Sequence, residues 1–362
     1  MTLDSPAAAD ASREFAAEGW TRHLSVPLAV LRTLGSVAVT LLGLFTLTFV
    51  LGRLLPIDPV IAIIGDNAGP GAYAKVAEQL GLDEPLYVQF WIYVTDMIQG
   101  DFGRAIDTGN YVTADLARVF PATLELATFA LVIGTGLGIP LGVWAAVHRD
   151  TWIDQTVRVV SLIGYSAPNF WLGLMGLVLF YATLGWVGGP GRLDIMAQLS
   201  HDAGPQPTRM VLIDAALAGQ WDVWRNAFSH IVLPASILGY AALAYIARMT
   251  RSFMIEQLGQ EYVVAARIKG VPERRIVWHH AFRNIRVQLI TVVVLSYAFL
   301  LEGAVLTEIV FGWPGFGAYL TKGLLKADMN VVLACVFIVG LIFITLNLVA
   351  DLAYRVLDPR TR

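Results

Sequence analysis

Apolar and polar positions along this chain alternate in long blocks. Six predominantly apolar runs stand out, at about 31–55, 122–147, 157–184, 231–253, 287–310 and 331–354. Roughly 20 apolar residues, rising ~1.5 Å each, cross the ~30 Å hydrocarbon core of a bilayer. At such lengths only a helix satisfies its own backbone groups in hydrocarbon. The pattern therefore predicts an all-α integral membrane protein with six transmembrane helices. Gly134, Gly136, Gly138 and Pro140 punctuate the second run and permit close helix contact or a bend.

The connection at 256–286 breaks this rhythm. It reads as two short helices separated at Gly270, which can take φ > 0 and end the first; Pro272 suits the first turn of the second. On a helical wheel Gly259, Tyr262, Val263 and Ala266 share a face whose mostly small residues would let a partner's backbone approach. Further on, Arg275, His279, Arg283 and Arg286 form one stripe, and Val277, Trp278, Ala281, Phe282 and Ile285 the opposite one. That is the pattern of a helix lying at a membrane surface and running into the next span. Spacing alone leaves two readings open, a solvated basic loop or a docking element.

Composition agrees with the pattern. The 362 residues are 56% hydrophobic and 15% charged, with a mean hydropathy of +0.63; soluble domains carry about a quarter charged residues. The net charge of −3 gives no reason to expect nucleic acid. The single Cys335 lies in an apolar run and is expected to be a small core residue.

Charge placement sets an expected orientation. Basic residues flank the first run (Arg13, Arg22, Arg32), the connection between the second and third (His148, Arg149, Arg158), the Gly270 loop and the chain end (Arg355, Arg360, Arg362). The segment between the first and second runs is acidic instead, with Asp58, Asp66, Glu78, Asp83, Glu84, Asp96, Asp101, Asp107 and Asp115. Both termini and the Gly270 loop are thus expected inside the cell, the N-in/C-in arrangement. Residues 1–28 read as a cytoplasmic tail without fixed structure, lacking the order of a signal peptide. Segments 56–121 and 185–230 read as extracytoplasmic short helices or loops. Tyr87, Phe90, Trp91 and Tyr93 suggest that the first lies on the outer interface.

Candidate chemistry is sparse. His279 and His280 are adjacent, so on a helix they diverge by about 100° and make a poor metal pair. There is no Walker-type phosphate loop, no nucleophile elbow and no zinc-protease motif, so catalysis is not expected in this chain. Carboxylates within spans are costly and often functional. Glu125 lies near the outer end of the second span, within reach of water, and Glu302 lies mid-way along the fifth.

The stretch EYVVAARIKG, followed by a run ending HHAFRN, resembles the coupling loop (the EAA loop) of binding-protein-dependent ABC importer permeases, in particular the dipeptide/oligopeptide branch. LTFVLGRLLPIDPV, GLDEPLYVQF, GDFGRAI, PATLELA, IPLGV, GYSAPNFWLGL, HIVLPA, ARMTRSFMIE, EIVFGWPGFG and NLVADLAYRVLDPR resemble segments of that branch in the same order, from Leu34 onward. Val264 stands where the loop's name has Glu, Ile57 where the branch has Gly, and Gln288 where it has Pro; the last removes the ground for a kink at the start of the fifth span.

The resemblance implies the ABC type I importer permease fold, with a permease domain over 29–362 and a cytoplasmic coupling loop over 256–286 in a bacterial inner membrane. It implies that Glu261, Tyr262, Ala265, Ala266, Arg267, Lys269 and Gly270 dock on an ATPase. The partners it implies are a second related permease, two ABC ATPase subunits that hold ATP and Mg, an extracytoplasmic substrate-binding protein and membrane lipid. This chain itself would hold no cofactor. Glu302, Glu308, Trp313 and Phe316 become candidates for the translocation path or its gate; a packing role for Glu302 stays open. Dipeptides or oligopeptides are the expected cargo, with nickel chelates, glutathione, haem or another small solute as alternatives. An ion-coupled secondary transporter is the rival class; it would work alone, with buried ion-binding groups and commonly an internal repeat.

Overall fold

Long apolar runs become long helices here because only a helix satisfies the backbone of a single segment within itself in hydrocarbon. The computed structural model describes residues 34–53, 60–61, 70–79 and 82–357. The 1–28 tail, Ile57, Asp58 and Asp66, and Arg360 and Arg362 lie outside the described residues. Two units divide the chain, 1–55 and 56–362. The described helix of the first is α1 (Leu34–Arg53). Its Thr40, Thr46 and Thr48 hydroxyls donate back to the carbonyls of Ser36, Leu42 and Leu44 at 2.8–2.9 Å, which leaves no hydroxyl of these three unsatisfied in an apolar helix.

In the second unit the order is α2 (Pro70–Gln79), α3 (Leu86–Gln99), α4 (Val112–Val147), α5 (Trp152–Ser166), α6 (Asn169–Gly176), α7 (Ile195–Asp202), α8 (Val211–Leu217), α9 (Trp221–Leu258), α10 (Glu261–Ile268), α11 (Glu273–Val310), α12 (Phe316–Leu325) and α13 (Met329–Leu357). Among the described residues the only strand-like pairing is an isolated bridge between Arg104 and Tyr111. Among the described residues five helices are long and apolar enough to span a membrane, and there are six if the one bent pair counts as a span.

Three spans differ from their sequence outlines. The apolar windows opened at Ala122 and Ile231, yet α4 and α9 start at Val112 and Trp221 and run through Pro121 and Pro234. A hydropathy window measures bilayer thickness, whereas these helices, 36 and 38 residues long, continue past it into a packed layer. The third span is not one rod. Pro168 disfavours α geometry at the preceding residue, Ala167 takes ψ 131°, and the chain turns by 99° between α5 and the segment from Asn169 through a π-helical turn at Leu177–Thr183.

α9 is the central shaft, and α4 lies closest to it. Small residues bring the two backbones together, as in other membrane helix pairs. A Cβ added to Gly239 would fall 2.6 Å from the Ala130 carbonyl oxygen, and one on Gly142 2.6 Å from that of Ala247. Gly134 and Gly138 face Ala242, Leu243 and Ile246 in the same seam, while Gly136 points into open space. Leu126, Ile231, Leu238, Ile246 and Leu300 are fully buried around this pair, drawing α11 into the core.

Gly239→Val is expected to force the seam apart and cost ~1–3 kcal/mol, seen as a lower melting temperature and less folded protein in membranes. Gly136→Val, with no atom within 4 Å of its Cβ, is expected to leave both unchanged.

Candidate coupling foot and head clasp

Helix α9 ends at Leu258, and the chain makes a compact foot before re-entering the bundle as α11. α10 is closed off by Gly270 at φ 73°, the left-handed value that an L side chain rarely adopts. The Val271 N–H bonds the Ala266 carbonyl at 3.1 Å across this turn. Arg267 Nε donates to Glu273 Oε1 at 2.6 Å and clips the two sides of the turn together; this exposed pair raises the arginine's already high pKa and contributes under ~1 kcal/mol. Pro272 sits one residue before α11, at φ −63° and ψ 140°, rather than inside its first turn.

The foot is pinned from within. Val263 is fully buried. Val277, Ala281 and Ile285 of α11 pack with Met254 of α9 and with Val143 and Ala146 at the end of α4. The face expected to receive a partner is therefore half turned inward, because Val263 fills the protein's own core and Ala266 is half-buried. What α10 presents outward is Glu261, Tyr262, Val264, Ala265, Arg267, Ile268, Lys269 and Gly270. Ile268 is 82% exposed and Val264 50% exposed. Sequence reading missed both; an apolar residue on the outer side of a short, capped polar helix was the available signal. His279 and His280 fall in a π-helical turn, Ile276–Ala281, with ring planes 89° apart.

A buried charge pair joins this end of the bundle to the bent span. Arg251 of α9 donates from Nε and Nη2 to Asp154 of α5 at 2.5 and 2.7 Å. Asp154 is fully buried and also accepts the Asp150 N–H at 3.1 Å. Asp154 precedes the apolar run at 157–184, so it escaped a search for charges within spans.

At the opposite end, the head, α4 holds two segments at once. Glu125 accepts Arg192 Nη2 at 2.5 Å and the Leu212 N–H at 2.7 Å, which docks the 185–230 segment. Glu125 is thus enclosed rather than in reach of water. Two residues along, the Thr123 hydroxyl donates to Glu308 at 2.5 Å and accepts the Phe316 N–H at 2.7 Å. The other Glu308 oxygen accepts the Ala318 N–H at 2.8 Å, so a buried carboxylate faces the N-terminus of α12, where the helix dipole favours negative charge. A Cβ on Gly315 would overlap that carboxylate. Trp313, also buried, donates its indole N–H to the Ala122 carbonyl at 2.9 Å, with the Arg192 guanidinium 5.6 Å from its ring centre.

The four path candidates thus separate. Glu308 and Trp313 are internal to this chain and hold the FGWPGFG turn against α4. Phe316 is buried, but with Phe120 and Thr123 it walls a small cavity that Glu302 also lines. Glu302 alone is exposed, on the flank of α11.

Two family models match the chain. Residues 138–362 match the binding-protein-dependent transport system inner membrane component, and residues 27–127 match the N-terminal part of such membrane components. The chain belongs to this family. It is 43% identical to the probable D,D-dipeptide transport system permease protein DdpB of Escherichia coli K12, over 88% of this chain and 92% of that protein. It is 41% identical to the di/tripeptide transport system permease protein DppB of Pseudomonas aeruginosa UCBPP-PA14, over 92% and 98%. Among solved structures, a chain of the inward-facing MetNI methionine ABC transporter superposes with a TM-score of 0.49 at 18% identity, covering 67% of this chain and 96% of that one. The permease is a multi-pass inner-membrane protein and a transport component, not a catalytic subunit.

Removing one partner of a buried pair leaves the other charge uncompensated. Asp154→Ala is expected to cost the permease ~3–5 kcal/mol, read as loss of folded protein in a thermal-shift assay. Arg158→Ala, whose side chain is 52% exposed, is expected to cost under ~1 kcal/mol.

Proposed function

We propose that this permease forms half of the path of an ATP-driven importer for dipeptides or short oligopeptides. The observation that carries this reading is the pair of peptide-transport relatives, matched at 41–43% identity over nearly their whole length. A second related permease completes the path. Two ATPase subunits, which bind ATP and Mg, sit beneath, and a substrate-binding protein delivers cargo from outside. The basic residues gathered at the foot support placing it, with both termini, in the cytoplasm.

Glu261, Tyr262, Ala265, Ala266, Arg267, Lys269 and Gly270, together with Ile268, dock into the ATPase. In support, α10 offers an exposed apolar surface that nothing among the described residues covers, on a base fixed by Val263 and the Val277 cluster. Because α10 packs on the π-helical turn of α11, whose Val277 and Ala281 share a core with α4 and α9, a displacement of α10 is passed to these helices as a rigid-body movement. The Asp154–Arg251 pair carries the same movement into the bent span.

Glu302 faces the path and attracts the cationic amino group of the cargo. In support, a carboxylate exposed half-way along a span is costly against lipid, so its flank belongs to water or to the second permease. Glu308, Trp313 and Phe316 serve the gate by fixing the turn after α11 rather than by touching cargo.

Gly270→Val strains the turn by ~1–2 kcal/mol, about tenfold in the population of a dockable foot. ATP-dependent peptide uptake by proteoliposomes holding the whole transporter is expected to fall accordingly; unchanged uptake would remove the foot from the coupling. A cysteine at Ala265 is expected to cross-link to the ATPase subunit, and a cross-link to the binding protein instead would invert the orientation. Glu302→Gln is expected to slow uptake of peptides with a free amino terminus more than that of N-acetylated ones.

A further inference from the structure

A cavity of about 320 Å³ opens between α5 and the foot-side half of α9, and its walls include Arg158, Ser161, Tyr165, Tyr245, Arg248 and Arg251. Three arginines line it, and the neighbouring Asp154 carboxylate engages two of them. Asp154 is already engaged by both Arg251 nitrogens and by the Asp150 N–H, with Arg158 Nη2 at 3.4 Å on its edge. Asp150 is itself paired with Arg149 at 3.2 Å. Arg248 is left over. Among the described residues it has no hydrogen-bonded or ionic partner, and its guanidinium lies 5.6 and 5.7 Å from the ring centres of Tyr165 and Tyr245.

An arginine on the flank of a spanning helix needs an anion or water. Arg248 stands five residues before Phe253, where the apolar run of α9 ends. At ~1.5 Å per residue that is ~7.5 Å, within the reach of a snorkelling arginine to the headgroup layer. Tyrosines at this depth are typical of the membrane–water interface. Val159, Leu162 and Ile163 of α5 are exposed along the same helix and offer an apolar surface for an acyl chain. A guanidinium binds two phosphate oxygens at once, and the Ser161 hydroxyl is a further donor in the cavity wall.

We propose that this cavity is a binding site for the headgroup phosphate of an anionic phospholipid of the inner leaflet, with Arg248 as its principal ligand and Arg158 and Ser161 as supports. The inference rests on the cytoplasmic placement of the foot. Bound there, the lipid lies against the hinge side of the bent span and beside the Asp154–Arg251 pair, so occupancy bears on how firmly α5 follows α9.

The test uses the assembled transporter purified with its partner subunits. Native mass spectrometry compares retention of phosphatidylglycerol and of phosphatidylcholine with the same acyl chains. The unsubstituted complex is expected to prefer phosphatidylglycerol. Arg248→Gln is expected to reduce that preference by roughly fivefold, the effect of one interfacial arginine. Arg248→Lys is expected to retain part of it, and Arg149→Gln, outside the cavity, all of it. Equal retention of the two lipids, or an Arg248→Gln complex with undiminished preference, would overturn the proposal. If Arg248→Gln instead slows uptake only of peptides with a free carboxyl terminus, not of amidated ones, and leaves lipid preference intact, the site belongs to cargo and the lipid assignment fails. ATP-driven peptide uptake by the unsubstituted complex reports separately on the import reading.

Discussion

The close approach of α4 and α9 is the constraint on which the rest of the second unit depends. Glycines at 134, 138, 142 and 239 remove the Cβ atoms that would hold these helices apart. Lipid tails are as apolar as leucine, so little hydrophobic force is available to pull helices together in a bilayer; packing at short range has to supply it. Everything else hangs from this beam. The head end of α4 holds the Trp313 turn and the 185–230 segment through Ala122, Thr123 and Glu125. Its other end, with α9, packs against the start of α11, on which α10 rests.

Three buried carboxylates of the bundle follow one rule, and two exposed charges contrast with it. Glu125, Asp154 and Glu308 are buried, and each is matched by an arginine, by backbone N–H groups or by both. In a low-dielectric surrounding such groups fix geometry, because any displacement leaves a charge unpaired. Glu302 and Arg248 differ: both are exposed on spanning helices. Neither has a hydrogen-bonded or ionic partner among the described residues.

The foot combines a rigid root with an uncovered tip. Val263, Val277 and Ile285 are locked into the core, while Tyr262, Val264 and Ile268 face outward. The docking proposed for it draws on both properties: the tip would give area for a partner, and the root would keep motion received there from being lost in local bending.

Much of this was legible in the sequence. Six apolar runs correspond to the five long apolar helices and the bent pair among the described residues, since bilayer thickness and helical rise leave few choices. Gly270 marked the turn of the foot because a left-handed residue after a short helix has one ready candidate. The end points of α4 and α9 were not legible, because a hydropathy window stops at the membrane while a helix does not. Neither was the direction of the α10 faces. Tyr262, Val263 and Ala266 share a stripe by spacing, and only the arrival of α11 determines that Val263 points home and Ile268 away. Pairing was the least legible of all. Glu125 with Arg192, Thr123 with Glu308 and Asp154 with Arg251 are separated by 67, 185 and 97 residues. One chain read along its length holds local propensity and span length, but which distant charges meet is settled only when the helices pack.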